Sequence, residues 1–241
     1  MSMRINDPAA YRLGEELELI AAWRYRHGLD LEGKAVLELG CGAAWMTRLL
    51  SERFAPASIV ATEVDRIQHD KNLATDLPGV TFRLGGAEAI ADPPGTYDRV
   101  FMFKSLHHVP IPEMGQALRE VHRVLRPGGL AYFSEPVYWG EFNDLMCLIH
   151  DEREVRLAAF QALVAAVDDG LFESVDEAFL DIPGTYETWE AFAERFLDVT
   201  HTDLAIDAAR RTEVRAAFLR HLTPTGAHFR KPHRIDLLRR R

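Results

Sequence analysis

Five short apolar runs, at 35–39 (AVLEL), 58–62 (SIVAT), 80–84 (VTFRL), 98–103 (DRVFMF) and 130–134 (LAYFS), recur roughly every 20–30 residues through the first half of the chain. Helical spacing fills the intervals at 43–53, 66–75 and 113–125, the last with Met114, Leu118, Val121 and Leu125 on one face. Strands that alternate with amphipathic helices form parallel strands joined by right-handed crossovers, because each helix must bury its apolar face against the sheet. The expected fold class is therefore α/β, a mostly parallel sheet with helices on both faces. The helix at 113–125 runs into Arg126-Pro127-Gly128-Gly129, a basic last turn, a proline that cannot continue it, and glycines for the return. Leu130 then opens the next strand.

After Pro136 the alternation stops. Residues 137–222 read as mostly helical, with stretches near 141–168, 174–180, 187–198 and 203–221 and no clear strand. A block of that length is too long for an ordinary loop. It reads as a helical lid inserted after the fifth strand. The expected organisation is an α/β core with an N-terminal helical extension over 1–136, a lid or acceptor-binding insertion over 137–222, and a closing strand with a basic tail over 223–241.

Composition narrows the function. The formal net charge of the 241 residues is −9. Ten Lys/Arg against Glu213 and Asp236 give +8 within 210–241, which leaves −17 on the remainder. An acidic body disfavours broad binding to a nucleic-acid backbone. Two cysteines, Cys41 and Cys147, are too few for a disulfide framework or a four-sulfur zinc site. The N-terminus lacks a secretory signal pattern and no apolar run reaches the roughly 20 residues that span a bilayer. A cytoplasmic protein without a membrane partner is expected.

The most informative local motif is Val36-Leu37-Glu38-Leu39-Gly40-Cys41-Gly42-Ala43-Ala44-Trp45. A buried strand entering a Gly-x-Gly turn and then a helix places bare backbone at the carboxyl edge of the sheet, where ligands bind in such folds. Trp45 stands where a dinucleotide fingerprint needs a third small residue, so NAD and FAD are disfavoured, and the P-loop Lys-Ser/Thr is absent. Glu38, two residues before Gly40, is placed to meet an ammonium group. The ligand this suggests is a nucleoside carrying an amino acid. Glu63, 21 residues beyond Gly42 at the end of the second strand, is placed to hold a ribose diol. Asp65 is the fallback for that role, or a helix cap.

With these residues the chain resembles the class I S-adenosylmethionine-dependent methyltransferases, in particular the bacterial group called methyltransferase type 11. The resemblance runs over about 33–136. It rests on VLELGCGAAW, Glu63, Gly86-Ala87-Glu88, Tyr97-Asp98-Arg99-Val100, Leu106-His107-His108-Val109 and Glu120…Arg123-Val124-Leu125-Arg126-Pro127-Gly128-Gly129. It implies a Rossmann-like seven-stranded sheet whose last strand is antiparallel, with S-adenosyl-L-methionine at its carboxyl edge. It also implies Glu38, Gly40 and Gly42 near the methionine moiety, Glu63 on the ribose, Ala87 offering a backbone N–H to adenine, and Lys104 and Ser105 beside the sulfonium. Two departures stand out. Ala44 replaces the third glycine of the turn, and Gly86 replaces the frequent Asp before Ala87, so the usual side-chain contact to adenine is missing unless Glu88 replaces it.

Methyl transfer from a sulfonium is an in-line displacement, and a base is needed only when the acceptor must lose a proton. The candidates lie after the fourth and fifth strands. They are His108, His107 and Glu135, with Tyr138 and Trp139 placed to line an apolar acceptor pocket. The lid aromatics read mainly as core. No metal site is expected, because no His/Cys/carboxylate set shows a recognised ligand spacing. The leading reading is an enzyme that methylates a small-molecule acceptor, as a monomer or homodimer. The alternatives are an RNA-modifying methyltransferase and a non-catalytic S-adenosylmethionine-binding regulator.

Overall fold

Residues 3–198 and 206–241 are described by a computed structural model. In chain order its elements are β1 (Arg12–Leu13), α1 (Glu16–His27), β2 (Ala35–Leu39), α2 (Trp45–Phe54), β3 (Ser58–Glu63), α3 (Arg66–Leu73), β4 (Val80–Leu84) and β5 (Tyr97–Phe103). Two 3-10 turns, Leu106–His108 and Ile111–Glu113, lead into α4 (Met114–Val124) and β6 (Leu125–Pro136). The second half holds α5 (Glu141–Cys147), α6 (Arg153–Asp168), β7 (Phe172–Tyr186), α7 (Trp189–Phe196), α8 (Ala208–Leu219), β8 (Leu222–Thr223) and β9 (Gly226–Arg240).

The strands form one sheet in the order β1-β7-β9-β6-β5-β2-β3-β4, with β8 paired to β9. β2, β3, β4, β5 and β6 are mutually parallel, and β9 runs antiparallel between β6 and β7. The expected mostly parallel sheet with an antiparallel last strand is therefore present. Nine strands stand in place of seven because two-residue strands, β1 and β8, are added to seven longer ones.

The larger correction concerns 137–222. The stretch read as helix near 174–180 lies inside β7, which pairs with β9 from Phe172↔Arg240 to Tyr186↔Ala227. Its sequence, FESVDEAFLDIPGTY, lacks a clean period of two because one face is only half covered and a register shift falls between Ser174 and Asp176. The block is thus helices threaded around a sheet strand. The helices expected at 141–168 and 187–198 are present as α5 with α6 and as α7. Of the stretch expected at 203–221, α8 covers 208–219, and 203–205 lie outside the described residues.

The closing strand expected within 223–241 is present, and the basic residues expected as a tail belong to it. It is β9, with Ile235, Leu237 and Leu238 fully buried. Its charges face the acidic body as ion pairs: Arg234 with Asp236, Arg239 with Glu173 at 3.5 Å and Arg230 with Asp181 at 3.7 Å. The Arg126–Gly129 turn, in turn, bulges out of β6, since Tyr97 pairs with Leu125 while Arg99 already pairs with Leu130.

Three apolar clusters follow from this layout. One lies between the sheet and α4 with α6, around Leu118, Val121, Phe133, Leu163 and Phe172. A second lies between the opposite face and α1 with α2, around Ile20, Trp23, Leu50, Phe101 and Tyr132. The third sits apart from the other two. β7 and β9 run on for six residues past the Pro136↔His233 pair that ends β6, or about 20 Å at the rise of a strand. On this two-stranded arm α5, α7 and α8 pack through Tyr186, Trp189, Phe192, Phe218 and Phe229. Most of the aromatics of the insertion are core here, as their spacing suggested, and Trp139 is exposed. Among the described residues, no helix is long and apolar enough to cross a membrane.

Because β9 is hydrogen-bonded on both sides, Ile235→Ala should cost about 2–5 kcal/mol of global stability, the usual range for a large-to-small change in a packed core. Urea unfolding checks this. A loss below 1 kcal/mol would contradict the central position of β9.

Candidate active site

The carboxyl ends of β2, β3, β5 and β6 lie side by side, and the residues picked out from the sequence gather there. After β2 the chain turns at Gly40 and Gly42, with φ of +72° and +52°. Only glycine adopts this conformation without strain. Gly40 is also a close approach, since a Cβ there would lie 2.6 Å from Ser105 Cβ, whereas nothing lies within 4 Å of a Cβ on Gly42. Ser105 secures the approach by donating its hydroxyl to Leu39 O at 2.7 Å. Ala44, the replaced third glycine, is itself left-handed at φ +58°.

Glu63 pins the turn. One carboxylate oxygen accepts the Gly42 N–H at 2.7 Å, and the other accepts Val64 N–H at 2.8 Å and Asp65 N–H at 2.9 Å. A carboxylate has about four acceptor sites, so capacity remains for a hydroxyl. Asp65 instead caps α3 by accepting from Ile67 N–H at 2.9 Å. Of the two acidic residues, Asp65 is thus the helix cap and Glu63 the one that holds the glycine turn.

Glu38 is buried, and its Oε2 has no hydrogen-bond partner among the described residues. Burial pushes its pKa up to about 7. A buried carboxylate with an unmet oxygen next to a glycine turn suits a cationic ligand group. At the neighbouring strand end, Ala87 is buried, and the Glu88 carboxylate fills the space beside Gly86, 2.2 Å from where a Cβ would stand. These features fit an amino-acid-bearing nucleoside: an acceptor for its ammonium, backbone at the turn, and a second carboxylate, Glu63, bonded to that turn.

Lys104 has φ +57° and reaches across to α1, where its Nζ meets Glu16 at 2.9 Å. Glu16 is buried. Burial would raise its pKa, but Lys104 and then His233 outweigh that and hold it below the usual range. His233 donates from Nδ1 to Lys231 O at 2.8 Å, so Nε2 is the bare nitrogen, and burial followed by Lys104 pushes its pKa down to about 4. Sequence reasoning missed Glu16 and His233. Neither lies in a motif, and only the packing of α1 and β9 brings them to the edge.

The residues proposed for proton transfer form a second cluster on the α6 face. His107 is buried, with Nδ1 hydrogen-bonded to Glu135, whose other oxygen accepts Leu106 N–H at 2.9 Å. Burial would lower the His107 pKa, yet Glu135 and Glu152 hold it above the usual histidine value. Burial would raise Glu135, yet His107 and the Leu106 N–H bring it below the usual carboxylate range. His108 is exposed and its ring lies 4.1 Å from that of His107. Tyr138 bonds Cys147 and Arg153 at 3.2 Å, and Trp139 is exposed. Glu152, at the start of α6, was not anticipated, because it is 45 residues beyond His107 in the chain.

Comparisons with known proteins agree with this geometry. Residues 36–129 match the family model described as a methyltransferase domain. Methyltransferase GfsG of Streptomyces halstedii is 30% identical over 118 residues, 47% of this chain and 41% of that protein. The fatty-acid O-methyltransferase of Mycolicibacterium smegmatis is 33% identical over 108 residues, 44% of this chain and 38% of that protein. The chain thus spans less than half the length of these curated relatives. Among solved structures, the Bacillus YcgJ protein superposes with a TM-score of 0.62 at 17% identity, covering 93% of this chain and 99% of that one. The [4+2]-cyclase SpnF superposes at 0.56 with 21% identity, covering 98% and 84%.

Two outcomes test the site. Gly40→Val should abolish nucleoside binding and destabilise the fold, while Gly42→Ala, with open space around its Cβ, should fold at a cost of about 1–2 kcal/mol for the left-handed backbone. The raised pKa of Glu38 means that the folded state holds its proton up to about pH 7 while the unfolded chain releases it near 4.5. Glu38 therefore contributes about 3 kcal/mol of ligand-free stability that is lost as pH rises through that window. The pH dependence of stability should differ between the parent and Glu38→Gln by that amount in denaturation curves taken from pH 4 to 8, with the contributions of Asp236 and His233 common to both.

Proposed function

We propose, from a chain whose residues 36–129 are a methyltransferase domain of the class I S-adenosylmethionine-dependent family, that the protein transfers a methyl group from S-adenosyl-L-methionine to a small-molecule acceptor. The observation that carries this reading is the buried Glu38 carboxyl, with one oxygen unpartnered among the described residues, beside the Gly40–Gly42 turn that Glu63 holds through the Gly42 N–H. When bound, S-adenosylmethionine supplies a methyl group on a sulfonium that is already a good leaving group. Glu38 and the turn hold the amino-acid end, Glu63 the ribose, and the Ala87 backbone with Glu88 faces the adenine. Lys104 and Ser105, fixed by Glu16 and by Leu39 O, set the edge along which an acceptor is aligned. What these residues contribute is position and exclusion of water, which is most of what an in-line displacement asks of a protein.

Of the proton-transfer candidates, His107 and Glu135 are engaged with each other and with Leu106 N–H, and they serve to build the loop after β5. His108 is the exposed imidazole at this edge and is the base we assign where the acceptor must lose a proton. The helices α5, α7 and α8, packed on the arm of β7 and β9 beyond the sheet edge, are the acceptor-binding lid. Support for a small-molecule acceptor comes from the relatives, among them the fatty-acid O-methyltransferase and a ubiquinone biosynthesis O-methyltransferase of Bordetella pertussis, 33% identical over 119 residues. The ion pairs that occupy Arg230, Arg234 and Arg239 leave the C-terminal segment a poor docking face for RNA.

Calorimetric titration with S-adenosylmethionine should give one site per chain. Glu63→Ala should weaken it by about 1.5–3 kcal/mol, roughly 10- to 150-fold, through loss of charge-assisted hydrogen bonds. Acceptors are then identified by release of S-adenosylhomocysteine. Tighter binding of NAD than of S-adenosylmethionine would sink the reading. Binding without turnover on any small molecule would favour the regulator.

A further inference from the structure

We propose that His107, His108 and Glu152 form a binding site for a divalent first-row transition-metal ion at the carboxyl edge, beside the loop after β5. One nitrogen from each imidazole and one Glu152 oxygen lie within 4.8 Å of one another. Atoms that share an ion, each about 2.0–2.2 Å from it, stand roughly 3–4 Å apart. His107 Nε2 and Glu152 Oε1, at 3.9 Å, are already at that separation.

The side chains are held as ligands are held. Glu135 engages His107 on Nδ1, which turns Nε2 toward Glu152, and Glu135 is itself fixed by Leu106 N–H. Arg156 grips only the other oxygen of Glu152, at 2.6 and 3.1 Å, and is steadied in turn by Asn143 at 2.9 Å. A carboxylate behind a ligating histidine, with a separately anchored carboxylate ligand, is the arrangement that orients metal ligands. His107 is buried, Glu152 half-buried and His108 exposed, so the set runs from the core to the surface, and three protein ligands would leave a fourth position on the ion for water or an acceptor atom. Two imidazoles and one carboxylate suit zinc, iron, cobalt or nickel better than magnesium or calcium, which favour oxygen ligands.

A competing account needs only a protonated His107 bridging Glu135 and Glu152. It predicts no metal affinity, and that is what separates the two accounts. In the metal-bound form the ion replaces the proton on Nε2, and that proton passes to solvent. None of the three ligands is among the residues given to S-adenosylmethionine, so this site stands or falls separately from cofactor binding; His108 acts as a base only in the ion-free protein, since a metal-bound nitrogen cannot take a proton.

The test is calorimetric titration of the full chain, stripped with a chelator, with Zn²⁺ alone, together with the absorption spectrum of the Co²⁺ form. We expect one saturable ion per chain, no heat with Mg²⁺, and a Co²⁺ spectrum without thiolate charge transfer. Affinity should drop at least tenfold in both Glu152→Gln and His108→Ala, whose positions spare the buried core, with thermal melts showing that both fold. Cys147→Ser should bind as the parent does. The proposal is overturned by absence of one-to-one binding, by affinity unchanged in both ligand variants, or by affinity lost only in Cys147→Ser.

Discussion

The placement of β9 governs the rest of the structure. A strand from the end of the chain lies antiparallel between β6 and β7 and satisfies the backbone groups of both over most of its length. Without it, β7 would be detached from the parallel sheet, and the arm that carries α5, α7 and α8 would not exist. The same strand sends His233 to the α1 face and Arg234 with Asp236 to the α6 face. A terminal segment rich in arginine is thus a structural centre. Its charges are tolerated because acidic partners from β7 and from β9 itself lie alongside.

Around the carboxyl edge the protein divides its carboxylates by task. Glu63 is spent on three backbone N–H groups and makes the glycine turn rigid. Glu38 is buried with an oxygen unmet, an arrangement that costs stability and is retained where a ligand supplies the missing partner. Glu16 gives one oxygen to Lys104 and so ties the N-terminal helix to the end of β5, while its other oxygen is unmet among the described residues. Glu135 and Glu152 both face His107 on the opposite face of the sheet. Two of these five, Glu16 and Glu152, belong to no local motif.

The fold by itself supports several chemistries. A [4+2]-cyclase is among the structures that superpose on this chain, at an identity too low to say more than that the scaffold is shared. The case for methyl transfer therefore rests on the local features of the edge and on the match over 36–129. That match ends before α5, so the elements that would choose an acceptor lie outside it.

The sequence by itself determined the parallel half of the sheet and the glycine turn at its carboxyl edge. Period-two apolar runs, a Gly-x-Gly turn and an acidic residue one βα unit later are local patterns, and the forces that act on them are local too. Gly40, Gly42, Glu63 and the cap at Asp65 all stand where spacing put them. Only the tertiary structure decided that 172–186 is a strand, because its hydrogen bonds come from residues some 40 to 70 positions later and its own pattern is mixed. It alone decided that the basic segment is buried, and that Glu16, Glu152 and His233 reach the edge. Those placements depend on contacts between segments far apart in the chain, and no residue pattern within a single segment records which distant partner it will meet.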